Sequence, residues 1–264
     1  MCGISIEIGK DLLEKENVFK NILRGITQKI ITGNNYQLSH QLLPTTVIDE
    51  KATVQPALIK NNQFLLFNGL IINTKEIAKK YKIRNFDSDT DLILKILSLD
   101  KVNNVLAKLK GSFSISVVDI KKKKIICYRD HSGSKPLYFF IGNNSIKLHS
   151  DPRPLIKYYK LNTSYLNESF KIFGFVPEQL LYELKENSLC AIKPGYITHF
   201  ENSDGRWKIN SEKFVKLKRS ISDPIKLVSE TASSFTFGVK QQPNYLYLSG
   251  GIDSSLLALL LKQF

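Results

Sequence analysis

Residues 111–129 read GSFSISVVDIKKKKIICYR, in which two apolar-rich segments flank a run of four lysines. β-Branched and aromatic residues are typical of strands, and a short charged run between two such segments is typical of a solvated turn. The stretch therefore predicts two antiparallel strands, at 111–119 and 124–129, joined by a hairpin. We interpret the lysine run as part of that turn, in preference to a surface that binds nucleic-acid phosphates.

Strand patterns continue on both sides of this hairpin. The segment GISIEI alternates apolar and polar residues and predicts a strand at 3–8. The dipeptide Asn68-Gly69 favours tight turns and is expected to end a strand at 64–67. Further strands are expected at 36–43, 57–59, 136–141 and 145–149.

Helical spacing of apolar residues is found in three places. It predicts one or two helices between residues 11 and 30, a helix at 74–82 and a helix at 89–99. Ser88 or Asp89 is the expected N-cap of the last one. Up to about residue 150, strands outnumber helices and do not alternate regularly with them. We therefore predict an α+β fold, a sandwich of mainly antiparallel sheet with helices.

The C-terminal part is expected to begin a second domain. Residues 201–223 are rich in turn-forming and charged residues and are predicted to link a domain at 2–200 to a segment at 224–264. In that segment Asp223-Pro224 favours a helix start, and residues 245–248 predict a strand. This strand leads through SGGIDSS into an apolar helix at 256–261.

Composition excludes several classes of protein. The chain has 264 residues, a formal net charge of +14 and three cysteines. The basic residues are scattered and form no aromatic-basic stripe, so nucleic acid is not an expected partner. Three cysteines make no disulfide framework, which favours a cytoplasmic protein. No signal peptide and no apolar run of roughly 18 residues are found, so no membrane partner is expected. The four histidines, His40, His131, His149 and His199, show no metal-ligand spacing and are assigned no role.

The first motif with chemical content is SGGIDSS at 249–255. Two glycines between a strand and a helix let backbone amides approach an anion at the positive end of the helix dipole. The motif resembles the SGGxDS loop of ATP pyrophosphatases, which adenylate a substrate and release pyrophosphate. That resemblance implies that Asp253 helps to hold Mg²⁺. It also implies that the loop binds the pyrophosphate of ATP through Ser249, Gly250, Gly251, Asp253, Ser254 and Ser255. The alternative is a glycine-rich turn before a core helix.

The second motif is the cysteine next to the initiator methionine. Because Cys2 is small, removal of Met1 is expected, which leaves Cys2 with a free α-amino group. That group titrates at about pH 8 and can take the thiol proton, so an N-terminal thiol carries its own base. The alternative is an incidental cysteine at a terminus.

Five segments, in order along the chain, resemble the class II glutamine amidotransferases. They are MCGI at 1–4, Asn68-Gly69 with Asn73, Ser88-Asp89, LKGSF at 109–113 and RDHSGSKPLY at 129–138. Together with SGGIDSS, they make nearly the whole chain similar to the glutamine-hydrolysing asparagine synthetases. The resemblance implies an N-terminal-nucleophile sandwich of two mainly antiparallel sheets, followed by the first strand-loop-helix of an α/β ATP pyrophosphatase domain. Within the fourth and fifth segments we assign no catalytic group, and interpret Arg129 and Asp130 as a bracing ion pair and Pro136 as a turn residue.

The resemblance also implies a reaction. Cys2 attacks the side-chain amide of glutamine, giving a thioester and ammonia, and water then releases glutamate. The Asn68 side-chain amide and the Gly69 backbone N–H form the oxyanion hole. Asp89 binds the α-ammonium group of glutamine. The ammonia attacks an aspartyl adenylate made with ATP and Mg²⁺, so the complete enzyme is a ligase of amino-acid biosynthesis; the glutaminase half needs no cofactor.

Some residues depart from the family pattern. Leu42, or a close neighbour, stands where the family has an arginine that pairs with the α-carboxylate of glutamine, which is expected to weaken glutamine binding. Arg24 and Lys29 are candidates to replace it. The family segment HRGPD reads LRGIT at 23–27, and NGEIYN reads NGLIIN at 68–73.

Only 16 residues run from Ser249 to Phe264, whereas a nucleotide-binding domain needs on the order of 100. We therefore expect a fragment, a truncated reading frame, or a glutaminase half with a separate synthetase partner; a homodimer is also left open. The acceptor of ammonia is aspartate, another carboxylate or a sugar. The hypothesis from another class is a degenerate, non-catalytic or ammonia-dependent module, which Leu42 favours.

Overall fold

The computed structural model describes residues 2–9, 25, 27–43, 54–99, 102–106, 108–142, 144–173, 177–183, 187–214, 223 and 247–261. The chain divides into two compact units, Met1–Val215 and Lys216–Phe264.

Twelve strands are described in the first unit, and they form two sheets. In chain order they are β1 (Gly3–Ile8), β2 (Thr27–Gly33), β3 (Tyr36–Leu42), β4 (Ala57–Lys60), β5 (Gln63–Ile71), β6 (Gly111–Asp119), β7 (Lys124–Arg129), β8 (Tyr138–Gly142), β9 (Ser145–His149), β10 (Cys190–Ala191), β11 (Tyr196–Ser203) and β12 (Arg206–Lys213). The first sheet has the order β10-β8-β9-β1-β3-β2, and the second sheet β12-β11-β7-β6-β5-β4. All strand pairs among these residues are antiparallel.

Helices accompany both sheets. They are α1 (Thr74–Lys80), α2 (Asp89–Leu99), α3 (Val102–Leu106), α4 (Pro152–Tyr159) and α5 (Ser164–Phe173), with a 3-10 helix at Glu178–Leu181. In the second unit α6 spans Ile252–Leu261.

Three apolar clusters define the layers of the first unit. Between the sheets, Ile4 and Ile6 of β1 pack with Leu66 of β5. The other face of the second sheet packs against α1, α2 and α3, where Phe67 belongs to the same cluster as buried residues of all three helices. The other face of the first sheet packs against α4 and α5 through residues such as Phe140. The order is therefore helices, sheet, sheet, helices, as predicted for an α+β sandwich.

The predicted hairpin is confirmed at 111–129, where the pairing of β6 with β7 closes at Asp119 and Lys124. The predictions for β1, β3, β4, β9, α1 and α2 are also confirmed, with ends shifted by no more than two residues. The strand predicted at 136–141 begins two residues later, at Tyr138.

The predicted strand end at Asn68-Gly69 is wrong. β5 continues to Ile71, and Asn68 and Gly69 pair with Ser114 and Phe113 of β6. The pairing with the long strand β6 holds these two residues in the sheet, so their turn preference is overridden by tertiary contacts.

The predicted linker at 201–223 is also wrong over its first half. Residues 201–203 end β11, and β12 follows and pairs with it residue by residue. Asp204 and Gly205 have φ angles of 53° and 82°, as in a tight hairpin turn. The turn signals therefore belong to a hairpin. Residues 215–222 lie outside the described residues.

Two further predictions fall partly outside the described residues. Of the helical region predicted at 11–30, residues 11–24 are not described, and Thr27–Gly33 form a strand because β2 pairs with β3. Of the strand predicted at 245–248, only Tyr247 and Leu248 are described, and they are exposed and not in a strand. Among the helices in the described ranges, none combines the length and apolar character that a membrane span requires.

Candidate functional site

Cys2 precedes β1 at the end of the first sheet. Gly3 pairs with Gln41, so Cys2 lies beside Leu42, the last residue of β3. The Leu43 N–H donates to Cys2 Sγ at 3.3 Å, and the thiol lies 3.8 Å from the Leu43 carbonyl oxygen. Side chains alternate along a strand, and Ile4 faces the core between the sheets, so Cys2 is directed towards the same gap.

The Cys2 thiol is half-buried, and two charged side chains act on it. Burial raises the pKa of the thiol, the backbone hydrogen bond with Leu43 and the positive charge of Lys135 lower it, and the carboxylate of Asp89 raises it. Since burial is the largest of these effects, the thiol with Met1 still attached is protonated at neutral pH.

Asn68 lies in β5, on the face of the second sheet that looks towards the first sheet. Leu66, two residues earlier, belongs to the core between the sheets, and Asn68 shares its orientation. Its side chain is 2% exposed, and within the described residues its Nδ2 has no hydrogen-bond partner. A buried amide donor without a partner is rare in proteins and is suited to a ligand that brings an acceptor.

The backbone of Gly69 is directed away from β6. The N–H of Phe113 donates to Asp130 and its carbonyl accepts from the Asp130 N–H, so Phe113 hydrogen-bonds away from β5. Its partner Gly69 therefore occupies a non-hydrogen-bonded position of the β5–β6 ladder, and its N–H points to the opposite edge of β5. The N–H groups of Phe67 and Ile71 point to the same edge, where Gln55 Oε1 accepts from the first at 2.6 Å and Asp89 Oδ2 from the second at 3.1 Å.

Position 69 also requires glycine for steric reasons. Its φ is 154°, and a Cβ built there would lie 2.3 Å from the Ser112 carbonyl oxygen and 2.5 Å from Phe113 Cβ. Both contacts are closer than real Cβ atoms allow, so a side chain would push β5 off β6.

Asp89 is the first residue of α2. It accepts a hydrogen bond from the N–H of Ile71, which lies two residues after Gly69 on β5. Its Oδ1 accepts from the Thr90 N–H at 2.8 Å, while the Ser88 hydroxyl accepts from the Asp91 N–H and caps the helix. Burial raises the pKa of Asp89 to about 6, against the lowering effect of its backbone hydrogen bonds. A partly buried carboxylate of this kind is suited to binding a cation.

The loop after β7 is held by two buried residues. Arg129 Nη1 lies 2.9 Å from Glu178 Oε1 and donates to the Ile192 carbonyl, and Nη2 donates to the Gly133 carbonyl. Asp130 accepts from the backbone of Phe113, as described above, and from groups of Ser132, Gly133 and Ser134. The expected ion pair between Arg129 and Asp130 is therefore wrong, because Arg129 pairs with Glu178; both residues brace the loop that carries Lys135.

In the second unit, the SGGIDSS loop precedes α6. The Ser254 hydroxyl donates to the Gly251 carbonyl oxygen at 3.1 Å and lies 3.0 Å from the Ser249 hydroxyl. Gly250 has a φ of 81°, which favours glycine. Hydroxyls and amides at the N-terminus of a ten-residue helix fit a phosphate anion. For Mg²⁺ the loop offers only Asp253, and no group of three metal-ligating side chains occurs among the described residues.

The first unit thus brings Cys2, Asn68, Gly69 and Asp89 to one end of the two-sheet core. Sequence reasoning missed His40, Gln55 and Lys135 at this end. His40 could have been found, because it is a polar residue on the apolar face of a predicted strand, in register with Leu38 and Leu42. Gln55 gives no such signal, and Lys135 stands in the RDHSGSKPLY segment, where we assign it no role.

Comparisons with known proteins show what the chain is similar to. Residues 40–157 match the model of a glutamine amidotransferase domain. Asparagine synthetase [glutamine-hydrolyzing] 3 of Bacillus subtilis is 24% identical over 284 residues, which are 97% of this chain and 44% of that protein. Asparagine synthetase B [glutamine-hydrolyzing] of Escherichia coli is 24% identical over 272 residues, 98% of this chain and 43% of that protein. The chain spans about half the length of the curated relatives it matches.

A solved structure of an allosteric regulatory enzyme of purine biosynthesis shares the fold. It has a TM-score of 0.50 and 16% identity, and the match covers 81% of this chain and 43% of that chain. The sequence matches point the same way: residues 40–157 are similar to a glutamine amidotransferase domain, and nearly the whole chain is similar to part of the glutamine-hydrolysing asparagine synthetases.

Proposed function

We propose that the first unit hydrolyses glutamine to glutamate and ammonia, with Cys2 as the nucleophile and Asn68 and Gly69 as the oxyanion hole. The observation that carries the proposal is the buried Asn68 amide, whose Nδ2 has no partner among the described residues and is directed into the gap that Cys2 also faces. The N–H of Gly69 lies next to it, at the edge of β5 that β6 does not occupy.

The reaction needs a nucleophile, a base and two donors. After Met1 is removed, the α-amino group of Cys2 takes the thiol proton. The thiolate then forms a C–S bond to the amide carbon, the C–N bond breaks, and ammonia leaves with the proton from the α-ammonium group. Water cleaves the thioester and releases glutamate. The two donors stabilise the negative oxygen of both tetrahedral states, and one such donor is worth about 3 kcal/mol of barrier.

Asp89 supplies the counter-charge for the α-ammonium group of glutamine. Its carboxylate is near enough to affect the pKa of Cys2, and its two oxygens are fixed by backbone N–H groups of Ile71 and Thr90. A fixed, partly buried carboxylate distinguishes glutamine, an amino acid, from simple amides.

The second part of the proposal concerns the use of ammonia. The named relatives are asparagine synthetases, so we propose that ammonia attacks an adenylated carboxylate, aspartyl adenylate, in a complete protein that is cytoplasmic. Ser249, Ser254 and Ser255 with the amides of Gly250 and Gly251 would bind the pyrophosphate of ATP. Asp253 would supply one ligand to Mg²⁺, which neutralises phosphate charge when bound. A different carboxylate or a sugar as acceptor is the alternative.

The test is glutamate release from glutamine by the purified chain, with removal of Met1 verified by intact mass. Cys2→Ala is expected to abolish release, and Asn68→Ala to lower kcat on the order of 100-fold. Gln37→Ala is the matched control, since Gln37 is also an amide that is 2% exposed and has an unpartnered nitrogen, but it lies on β3 opposite Glu7. Equal losses for Asn68→Ala and Gln37→Ala would contradict the proposed oxyanion hole.

A second candidate is a degenerate module without glutaminase activity, favoured by Leu42. The residue lies at the end of β3 beside Cys2, and its side chain carries no charge that could pair with the carboxylate of glutamine. Lys135 is a described cation whose charge acts on Cys2, and Lys29 Nζ lies 3.4 Å from the Pro56 carbonyl oxygen. Arg24 lies outside the described residues. Correctly processed protein that releases no glutamate would favour this candidate.

A further inference from the structure

We propose that His40 and Gln55 are positioning residues, which hold β5 of the second sheet against the Cys2 end of the first sheet so that the oxyanion-hole donors face the thiol. Both bind the backbone of one residue, Phe67, and we call the pair the Phe67 clasp. The proposal rests on the glutaminase function proposed above and assigns the clasp to that same site.

His40 joins the two sheets. It lies on β3 opposite Ile4 of β1, and Ile4 belongs to the core between the sheets, so the imidazole crosses that gap. Its Nε2 lies 3.2 Å from the carbonyl oxygen of Phe67 on β5. The side chain is 1% exposed, and burial lowers its pKa to about 4, so the ring is neutral at pH 7. A carbonyl can only accept, so the single proton of the ring is on Nε2 and this nitrogen donates.

Gln55 replaces a missing strand partner. The pairing of β4 with β5 begins at Ala57 and Leu65, two residues short of Phe67. The side chain of Gln55 extends to the position where the ladder would continue, and its Oε1 accepts from the Phe67 N–H at 2.6 Å. Its Nε2 lies 3.5 Å from Thr90 Oγ1, next to Asp89. Gln55 is 3% exposed.

The clasp acts next to the proposed donors. Phe67, Gly69 and Ile71 present their backbones to the same edge of β5, and Asn68 stands between the first two. Phe67 is fixed by the clasp and Ile71 by Asp89, and within the described part of the chain the Gly69 N–H between them is left for a substrate oxygen. His40 is also two residues before Leu42, and the next residue, Leu43, contacts Cys2 Sγ. One hydrogen bond therefore fixes the strand of the donors relative to the strands of the nucleophile.

The experiment compares pairs of variants that keep or remove one hydrogen bond. His40→Gln retains an amide N–H near the position of Nε2, and His40→Met has a similar volume without a donor. Gln55→Glu retains the acceptor for Phe67, and Gln55→Met removes it. His149→Met is the control, because His149 is equally buried, at 1% exposure, but pairs with Ser5 on the opposite face of the first sheet.

Two measurements are made on each variant. The first is steady-state glutamine hydrolysis, in which His40→Met and Gln55→Met are expected to lower kcat by about tenfold or more and to change KM by less than about threefold, since the oxyanion hole acts on the tetrahedral states. His40→Gln and His149→Met are expected to stay within about threefold of the unmodified protein. The second is hydrogen–deuterium exchange of the Phe67 amide, expected to be about tenfold faster in Gln55→Met and His40→Met only.

The outcomes separate the clasp from the proposed function. The unmodified chain could release no glutamate while its Phe67 amide loses protection in His40→Met and not in His149→Met. That result would refute the glutaminase function and, with it, the positioning role, and would leave the clasp as a purely structural contact. An active chain in which His40→Met keeps its kcat, or in which His40→Gln fails as badly as His40→Met, would overturn the positioning role alone. An effect confined to KM would do the same.

Discussion

Replacing Asp89 by Asn is expected to stabilise the protein at neutral pH, although we assign this residue to substrate binding. Burial raises the pKa of Asp89 from 3.8 to about 6. One pKa unit corresponds to about 1.4 kcal/mol, so keeping the side chain ionised in the folded protein costs about 3 kcal/mol at pH 7.5 relative to the unfolded chain. An uncharged amide avoids this cost.

The replacement by asparagine also removes a hydrogen bond, which offsets part of the gain in stability. The carboxylate accepts from two backbone N–H groups, of Ile71 and Thr90, and the amide has only one oxygen. The lost hydrogen bond costs about 1 kcal/mol, which leaves a net stabilisation of about 1–2 kcal/mol for Asp89→Asn at pH 7.5. Because the folded pKa is raised, the folded protein binds more protons than the unfolded chain between about pH 4 and 6. The stability contributed by Asp89 therefore falls as pH rises through this window, and the advantage of the variant is absent below about pH 4.

The measurement is the free energy of unfolding by urea at pH 7.5 and at pH 4, for Asp89→Asn and for Asp91→Asn. Asp91 is the control: it lies in the same helical turn but forms an ion pair with Lys95 at 2.6 Å. Its replacement is expected to destabilise the protein by about 0.5 kcal/mol at pH 7.5. If Asp89→Asn destabilises the protein equally at both pH values, the reasoning from burial is refuted.

Three further predictions follow from the same site. The pH dependence of kcat/KM reports the pKa values of the free enzyme. Because Asp89 becomes protonated below about pH 6, kcat/KM for glutamine is expected to fall about tenfold per pH unit below pH 6, with a smaller change in kcat. Gly69→Ala is expected to cost about 2 kcal/mol or more in the free energy of unfolding and to abolish glutamate release, because its Cβ would lie 2.3 Å from the Ser112 carbonyl oxygen. Glu178→Leu is expected to cost about 2 kcal/mol, measured by urea unfolding, since it leaves the guanidinium of Arg129, 2% exposed, without its carboxylate.

Eight of the twelve described strands of the sandwich could be predicted from sequence, and the reason is local. Alternation in β1 and the lysine turn between β6 and β7 each express one physical preference without a competing one. Prediction failed where a local preference met a long-range partner. The turn preference of Asn68-Gly69 lost to nine residues of pairing between β5 and β6, and that partner is more than 40 residues away in sequence.

The candidate site could be predicted only in part for a related reason. Cys2, Asn68, Gly69 and Asp89 stand in recognisable motifs, so they could be predicted from sequence as candidate residues. The partner of His40 and Gln55 could not, because both residues bind the backbone of Phe67 and any residue type at position 67 offers the same N–H and C=O groups. Only the polar side chain of His40 on an apolar strand face gave a signal. Contacts with backbone atoms leave no trace at the contacted position.

The register of β5 against β6 decides whether this site exists at all. In an antiparallel pair, alternate residues direct their N–H groups to opposite edges, so a slip of one residue would turn the Gly69 N–H into β6 and the Asn68 side chain towards α2. The contacts that resist this slip lie at the site itself. At position 69 a Cβ would meet the Ser112 carbonyl oxygen, so only a glycine fits opposite Phe113. The N–H groups of Phe67 and Ile71 can donate to Gln55 and Asp89 in this register alone. The glycine that carries the proposed N–H donor therefore also selects the register that exposes it.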